Sequence, residues 1–204
     1  VFLVSGRLSN EDLFNLKRFT FALGGESILY TDMGGGELTT QVGVSAGTNF
    51  AEMGKGSTIV VVASDLYNEA PVWYLRLKQA TERGATLVVV SGRETKLERH
   101  SKFVVRYSFG DEVETIRGLV KKNQISAAIT SAENLLVLYG SDGLGLEGST
   151  AVAGACAELV KGRQGKPLNG LIGVWPRAND QAAWEIGFQP VVDLAKMLKG
   201  RTVY

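Results

Sequence analysis

The chain has 204 residues, 45% of them hydrophobic, and its 22 basic residues nearly balance its 21 acidic ones. This length suits one large domain or two small ones, and a net charge of +1 gives no electrostatic case for binding nucleic acid or an anionic membrane surface. The single cysteine (Cys156) and single histidine (His100) exclude a disulfide, a structural zinc site and an iron–sulfur cluster within this chain.

The first residue is Val1 rather than methionine, and Val1–Val4 already has the character of a core strand. We therefore expect an excised piece of a larger protein. The longest apolar runs, Ile59–Ala63 and Leu87–Val90, are far shorter than a bilayer span, so no direct membrane insertion is expected.

Short apolar runs alternate with stretches of helical period along the chain. The predicted strands are Val1–Ser5, Ile28–Tyr30, Ile59–Ala63, Leu87–Val90, Phe103–Tyr107, Leu135–Tyr139 and Leu171–Val174. The predicted helices are Ser9–Leu23, Asn68–Glu82, Asp111–Lys122, Gly148–Lys161, Asn179–Ile186 and Val191–Leu198. Strands that are apolar on both faces and separated by helices predict an α/β fold with a parallel sheet covered on both sides.

In such sheets, ligands bind beyond the carboxyl ends of the strands. Ser64 and Asp65 follow the most apolar strand, where a carboxylate can accept hydrogen bonds from a ribose or a guanine. Arg93 follows the next strand and can meet a phosphate with its guanidinium. Spacing alone favours a plainer interpretation, in which Asp65 caps the following helix and Arg93 is a solvated charge.

Two glycine-rich segments are weaker candidates. Gly143–Gly148 matches the GxGxxG dinucleotide pattern, but the next strand leads into Trp175 with no carboxylate to hold a ribose. We interpret this segment as a packing turn that does not bind NAD. Gly34–Gly36 lacks the lysine and hydroxyl residues of a phosphate-binding loop.

Several segments together resemble the molybdopterin oxidoreductase superfamily, and they occur in the family's order along nearly the whole chain. They are Lys55–Leu66, Glu69–Ala85, Ser91–Thr95, Phe109–Glu112, Gly162–Pro167 and Ala178–Ala182. The opening Ser5–Leu13, together with Gly43–Met53 and Asn169–Pro176, is most similar to the large iron–sulfur subunit of NADH-quinone oxidoreductase, the respiratory complex I.

This resemblance implies a scaffold in the peripheral arm of complex I, on the cytoplasmic side of the inner membrane, with other subunits of the complex as partners. It places the iron–sulfur clusters in an N-terminal region outside this chain and implies no catalytic residue, metal ligand or cofactor within it. The alternative is the molybdopterin guanine dinucleotide-binding part of a formate dehydrogenase-like molybdenum oxidoreductase.

The departures from the family pattern predict a degenerate cofactor site. Ser91 stands where dinucleotide-binding members have an acidic residue, and Phe109 replaces a proline. Asp65 and Glu112 still match acidic positions. Ser64, Asp65, Arg93 and Glu112 are therefore vestigial cofactor-binding candidates. The short join between Lys122 and Leu135 also removes a segment that usually helps to enclose a cofactor.

The resemblance further implies two Rossmann-like lobes. Residues 1–24 and 133–204 would form a discontinuous lobe, and residues 25–132 would form an inserted one. On this division the four predicted strands between residues 28 and 107 share one sheet, and Val1–Ser5 lies beside Leu135–Tyr139.

Overall fold

Parallel strands alternate with helices in the computed structural model, which describes residues 1–43, 49–121, 123–163 and 168–204. The strands are β1 (Phe2–Val4), β2 (Ser27–Leu29), β3 (Ser57–Val62), β4 (Thr86–Ser91), β5 (Phe103–Arg106), β6 (Asn134–Tyr139) and β7 (Gly170–Gly173). The helices are α1 (Asn10–Ala22), α2 (Gly36–Val42), α3 (Leu66–Glu69), α4 (Pro71–Glu82), α5 (Glu112–Gly118), α6 (Asn123–Thr130), α7 (Gly145–Val160), α8 (Asp180–Glu185) and α9 (Leu194–Leu198). The predicted α/β class is confirmed.

Five of these strands form one parallel sheet in the order β5-β4-β3-β6-β7. The central strand β3 pairs in parallel with β4 on one side and with β6 on the other. All six residues of β3 are buried, because helices cover both faces of the sheet. An apolar strand without polar alternation is typical of this central position.

The side chains of β3 point alternately into two cores. Val60 and Val62 pack with α5, α6 and α7 on one face, and Ile59 and Val61 pack with α3 and α4 on the other. Fully burying each such side chain contributes about 1.5–3 kcal/mol to stability. Among the described residues, no helix has both the length and the apolar composition needed to cross a membrane.

The other two strands form a small sheet of their own. Its strands β1 and β2 pair in parallel with each other, with Leu3 opposite Ile28. A third core, in which Leu13 of α1 packs with Val4, Leu29 and Phe188, joins these strands to α1 and α8. The amino-terminal and carboxyl-terminal segments of the chain therefore stabilise each other.

The strand pairing expected from the two-lobe division is wrong. Val1–Ser5 pairs with the Ile28–Tyr30 run, not with Leu135–Tyr139, and Ile28–Tyr30 is not part of the sheet that contains Ile59–Ala63. Strand β6 instead pairs with β3 over six residues. Strand pairing therefore does not support a division into one lobe of residues 1–24 and 133–204 and an inserted lobe of residues 25–132. The division itself stays a prediction.

Some helix predictions also need correction. The predicted helix Asn68–Glu82 is two helices, because Pro71 disfavours helical geometry at Ala70, where α3 ends and α4 begins. Helices α2 and α6 were not predicted, and α6 occupies the expected short join before β6. Lys122, residues 44–48 and residues 164–167, which carry parts of the predictions above, lie outside the described residues.

Candidate functional site

The candidate site lies where the chain changes direction across the large sheet. From β3 the chain passes outward to β4 and β5, then returns to the opposite side of β3 to form β6 and β7. The loops after β3 and β6 therefore leave the same edge of the sheet side by side and then run in opposite directions. Ligands of open parallel sheets bind at such a switch point. We call Asp65, Arg93 and Asp142, with the loops that carry them, the switch-point site.

The two loops are in close contact at the start of the site. Ala63, directly after β3, has a φ of 48°, which is unusual for a residue other than glycine. A Cβ at Gly140, directly after β6, would lie only 2.6 Å from the carbonyl oxygen of Ala63. Glycine at position 140 thus allows the backbone of one loop to rest on the other.

Asp65 is the buried acid of the site, with 5% of the residue exposed. Its Oδ2 atom accepts hydrogen bonds from Asn68 Nδ2 at 2.8 Å and from Arg93 Nη1 at 3.2 Å. Its Oδ1 atom is buried with no hydrogen-bond partner in the described structure. Although Asp65 stands at the N-cap position of α3, its side chain makes no capping bond, so the capping interpretation is wrong.

Arg93 joins the two loops of the site. Its Nε and Nη2 atoms donate to Asp142 Oδ1 at 3.2 and 3.0 Å, while Nη1 donates to Asp65. The side chain is 52% exposed but is not the free solvated charge that spacing favoured. The hydrogen bond to Asp142 raises the pKa of Arg93, against the opposing effect of burial. Two carboxylates against one guanidinium leave the site with one formal negative charge.

The other two predicted site residues make separate contacts. Ser64 is buried and donates from Oγ to Glu69 Oε2 at 2.6 Å. Glu112 begins α5 and accepts a hydrogen bond from the backbone N–H of Gly110 at 2.8 Å. Neither side chain is hydrogen-bonded to Asp65 or Arg93 in the described structure. The structure thus brings together Asp65 and Arg93 but not the full predicted set.

Sequence reasoning missed two residues of this region. Asp142 was not among the predicted site residues, yet it provides the main partner of Arg93, 49 positions away in sequence. Tyr107, directly after β5, is 6% exposed, and the ring of this residue would touch a Cβ at Gly92, beside Arg93. Burial raises the pKa of Tyr107 to about 12, with a further contribution from the charge of Asp142. The one sequence signal for either residue is its position at or just after the end of a predicted strand, Tyr107 for β5 and Asp142 for β6.

The other residues considered in the sequence analysis have contacts or backbone angles that explain them by packing and conformation. Gly143 and Gly145 have φ values of 86° and 66°, which explains two glycines of the GxGxxG pattern by backbone conformation. The predicted inability of this turn to bind NAD stays untested. His100 packs against Tyr74, whose hydroxyl lies 3.2 Å from its Nε2 atom. Trp175 is partly buried against the core and donates from Nε1 to Gln181.

A family model for molybdopterin oxidoreductases matches residues 1–203 of the chain. The chain belongs to the molybdopterin oxidoreductase family. A comparison with curated protein sequences found no match. The superfamily resemblance drawn from the sequence motifs is confirmed, whereas the resemblance to the large iron–sulfur subunit of NADH-quinone oxidoreductase stays a prediction.

Membership of the molybdopterin oxidoreductase family raises the question of whether these residues fit the dinucleotide cofactor. The unpaired Oδ1 atom of Asp65 suits a ligand N–H or O–H donor, such as the edge of a guanine. The diphosphate fits poorly, because Arg93 is already bound by two carboxylates and the site carries net negative charge. The geometry of the switch-point site thus suits the edge of a guanine better than it suits a diphosphate.

Proposed function

We propose that this chain is a structural part of the large iron–sulfur subunit of an NADH-quinone oxidoreductase. In this proposal it is a scaffold in the peripheral arm of complex I, with a fold inherited from molybdopterin-binding proteins and no chemistry of its own. The observation that carries the proposal is the bridge from Arg93 to Asp65 and Asp142. It links the two loops between which a dinucleotide would bind.

The bridge supports a scaffold because of what a ligand would have to displace. An incoming diphosphate would compete with two carboxylates for one guanidinium and would meet the net negative charge they leave behind. Charge-assisted hydrogen bonds of this kind are the stronger ones in proteins. The arrangement therefore favours cohesion between the loops after β3, β4 and β6 over ligand binding.

The same proposal includes the partners and the cellular location of the chain. Its partners are other subunits of the respiratory complex, which holds it on the cytoplasmic side of the inner membrane. The iron–sulfur clusters belong to a region of the parent subunit outside residues 1–204. What supports this setting is family membership together with the motifs at Ser5–Leu13 and Asn169–Pro176.

A second candidate function is binding of molybdopterin guanine dinucleotide in a formate dehydrogenase-like molybdenum oxidoreductase. One observation favours it, namely the buried and unpaired Oδ1 atom of Asp65. An unpaired buried acceptor costs about 1–3 kcal/mol, and a guanine N–H would relieve that cost. This candidate needs Arg93 to leave one or both of its carboxylates.

Calorimetric titration with guanosine diphosphate, the nucleotide half of the cofactor, separates the two candidates. We expect no saturable heat up to about 1 mM, the concentration at which binding would still correspond to about 4 kcal/mol. Saturable binding that Asp65→Asn abolishes and Asp111→Asn preserves would favour the second candidate. Asp111 suits this control because it is exposed and makes no capping bond with its side chain.

The parent protein provides the complementary test. Elemental analysis of the full-length protein purified from its host is expected to show several iron atoms per chain and no stoichiometric molybdenum. One molybdenum atom per chain would rule out the scaffold proposal.

A further inference from the structure

One face of α1 exposes two phenylalanines with an arginine between them. Phe14, Arg18 and Phe21 are spaced at i, i+4 and i+7, which places them along the same side of the helix. Phe14 is 54% exposed and Phe21 is 87% exposed. The guanidinium of Arg18 lies 5.8 Å from the centre of the Phe14 ring, and no carboxylate engages it within the described part of the chain. We call these three residues the α1 knob.

The exposure of the α1 knob is not a consequence of a loose helix. Leu13 and Thr20 are fully or almost fully buried on a different face of α1, where Leu13 joins the core with Phe188. Lys17 donates to the carbonyl oxygen of Gly187 and thereby fixes the helix further. A well-packed helix that presents two phenylalanines to solvent offers a surface for protein interaction.

A groove of about 420 Å³ lies elsewhere on the same chain, between the starts of α2 and α7, helix α8 and the segment before α9. Its apolar lining includes Leu146, Trp184 and Val192, the last of which is 68% exposed. Its charged lining residues, Glu37 and Glu147, are both carboxylates, and neither has an ion pair in the described structure. We call this the acidic groove.

We propose that the α1 knob of one copy of this chain docks in the acidic groove of a second copy. The phenylalanines match the apolar lining, and Arg18, one turn from each of them, matches the unpaired Glu37 and Glu147. Each surface thus supplies what the other lacks. Leu13 holds α1 on its own core while Phe14 and Phe21 stay exposed, so the knob is available to a second copy.

The proposed contact joins two different surfaces, so a dimer keeps one free groove on one copy and one free knob on the other. Head-to-tail contacts of this kind generate open chains or closed rings rather than two-fold dimers. Two aromatic anchors and one charge cluster form a small interface, so we expect weak, micromolar or weaker association that rises with concentration and falls with added salt. The contact goes beyond the proposed scaffold function and does not depend on it.

Sedimentation velocity from about 10 μM to 1 mM tests the proposal, with the expectation that the average mass rises with concentration. Phe21→Ser removes the knob and Glu147→Lys disables the groove. Each variant alone is expected to weaken association at least tenfold. A mixture of the two is expected to form dimers that do not grow, since it offers only one working knob and one working groove per pair.

Matched controls separate this contact from general surface stickiness. Leu75→Ser removes another exposed apolar side chain, and Glu52→Lys reverses another exposed acid. Both are expected to associate like the unmodified chain, and thermal unfolding checks that all variants are folded. A chain that stays monomeric at 1 mM, or self-association that Phe21→Ser and Glu147→Lys leave unchanged, would overturn the proposal. Neither result bears on guanosine diphosphate binding.

Discussion

Glu98 and Arg106 form an ion pair with two parallel hydrogen bonds at the edge of the large sheet. Arg106 Nη1 donates to Glu98 Oε1 at 2.9 Å, and Nη2 donates to Oε2 at 2.7 Å. The backbone N–H of Thr95 also donates to the same carboxylate. Arg106 ends β5, and Glu98 lies in the turn after β4, so the pair holds the loop that carries Arg93 against the edge strand.

This pair predicts a pH-dependent contribution to stability. Burial alone would raise the pKa of Glu98, but the hydrogen bonds from Arg106 and Thr95 outweigh it and lower the pKa from 4.5. A lowered folded-state pKa stabilises the fold above the unfolded-state value, and this stability is lost as pH falls through the folded-state value. We expect Glu98→Gln to cost about 1 kcal/mol at neutral pH, since Arg106 is partly screened by solvent, and much less at about pH 3.

Urea unfolding of the Glu98→Gln variant at both pH values measures this difference. Glu114→Gln serves as its control, because the Glu114 side chain is 81% exposed and its ion pair with Arg117 is long, at 3.8 Å. An equal cost for Glu98→Gln at both pH values would contradict the prediction.

A pair of glycine substitutions tests the close contact at the switch-point site. In Gly140→Ala the new methyl group would lie 2.6 Å from the carbonyl oxygen of Ala63 and 2.9 Å from the Cβ atom of Ser64. Since backbone must move to relieve this overlap, we expect a loss of about 1–3 kcal/mol in the free energy of unfolding.

Gly154→Ala is the matched substitution in the interior of α7, where a Cβ would meet no atom within 4 Å. It is expected to stabilise the protein by about 0.5–1 kcal/mol, because alanine loses less backbone entropy in a helix. Chemical denaturation of both variants gives the comparison. Similar effects from the two substitutions would show that the contact at Gly140 is unimportant.

Ser149 connects α7 to the glycine-rich segment before α2. Its Oγ accepts a hydrogen bond from the buried N–H of Gly34 at 2.8 Å and donates to the carbonyl oxygen of Gly145 at 2.6 Å. Ser149→Ala leaves the N–H of Gly34 without an acceptor, so we expect a cost of about 1–3 kcal/mol. Hydrogen exchange at Gly34 should accelerate as well.

Ser131→Ala is the control for this prediction. Ser131 is exposed, and its hydroxyl donates to a carbonyl oxygen four residues earlier, at Ala127. Its loss is expected to change stability by no more than about 0.5 kcal/mol. If the two serine substitutions cost the same, the bond from Gly34 to Ser149 does not stabilise the structure.

The strands and the fold class were predictable from the sequence, because the central strands β3, β4 and β6 each carry an unbroken apolar run. The partners of those strands were not. The apolar pattern of Leu135–Tyr139 is the same whether it lies beside Val1–Ser5 or beside β3, since pairing depends on how the intervening helices pack. The expected pairing of Val1–Ser5 with Leu135–Tyr139 came from the resemblance to a two-lobed family and not from the residues themselves. That pairing was wrong.

The burial of residues on α1 was also only partly predictable from their spacing. Leu13, Leu16, Phe19 and Leu23 have the spacing of a buried stripe, yet Phe19 is 54% exposed and Leu23 is 60% exposed. Leu13 and Leu16 pack in the core formed with Val4 and Phe188, whereas Phe19 and Leu23 are not part of that core.

At the candidate site, the strand ends correctly indicated where Asp65 and Arg93 lie. Asp142 was missed because a contact across 49 positions leaves no local pattern. Whether Ser64, Asp65, Arg93 and Glu112 bind any cofactor stays a prediction.

Asp180 should show the pH dependence opposite to that of Glu98. Its side chain is fully buried, with Oδ1 accepting from the N–H of Gly6 at 3.1 Å and Oδ2 from the N–H of Arg177 at 3.2 Å. Burial raises the pKa of Asp180 above 3.8, although Arg177 and the two backbone N–H groups oppose the shift. A raised pKa means that the contribution of the group is complete below the unfolded-state pKa and declines as pH rises through the folded-state value.

We therefore expect Asp180→Ala to destabilise the protein at every pH, by about 2–4 kcal/mol, because it removes the acceptor of the buried N–H of Gly6 and of the partly buried N–H of Arg177. The cost should be greater at about pH 4 than at pH 7, whereas the cost of Glu98→Gln should be greater at pH 7. Urea unfolding of both variants across this range provides an internal comparison, since any general effect of acid on the fold acts on both. Costs that change with pH in the same direction for the two variants would show that the folded-state pKa of Asp180 is not raised.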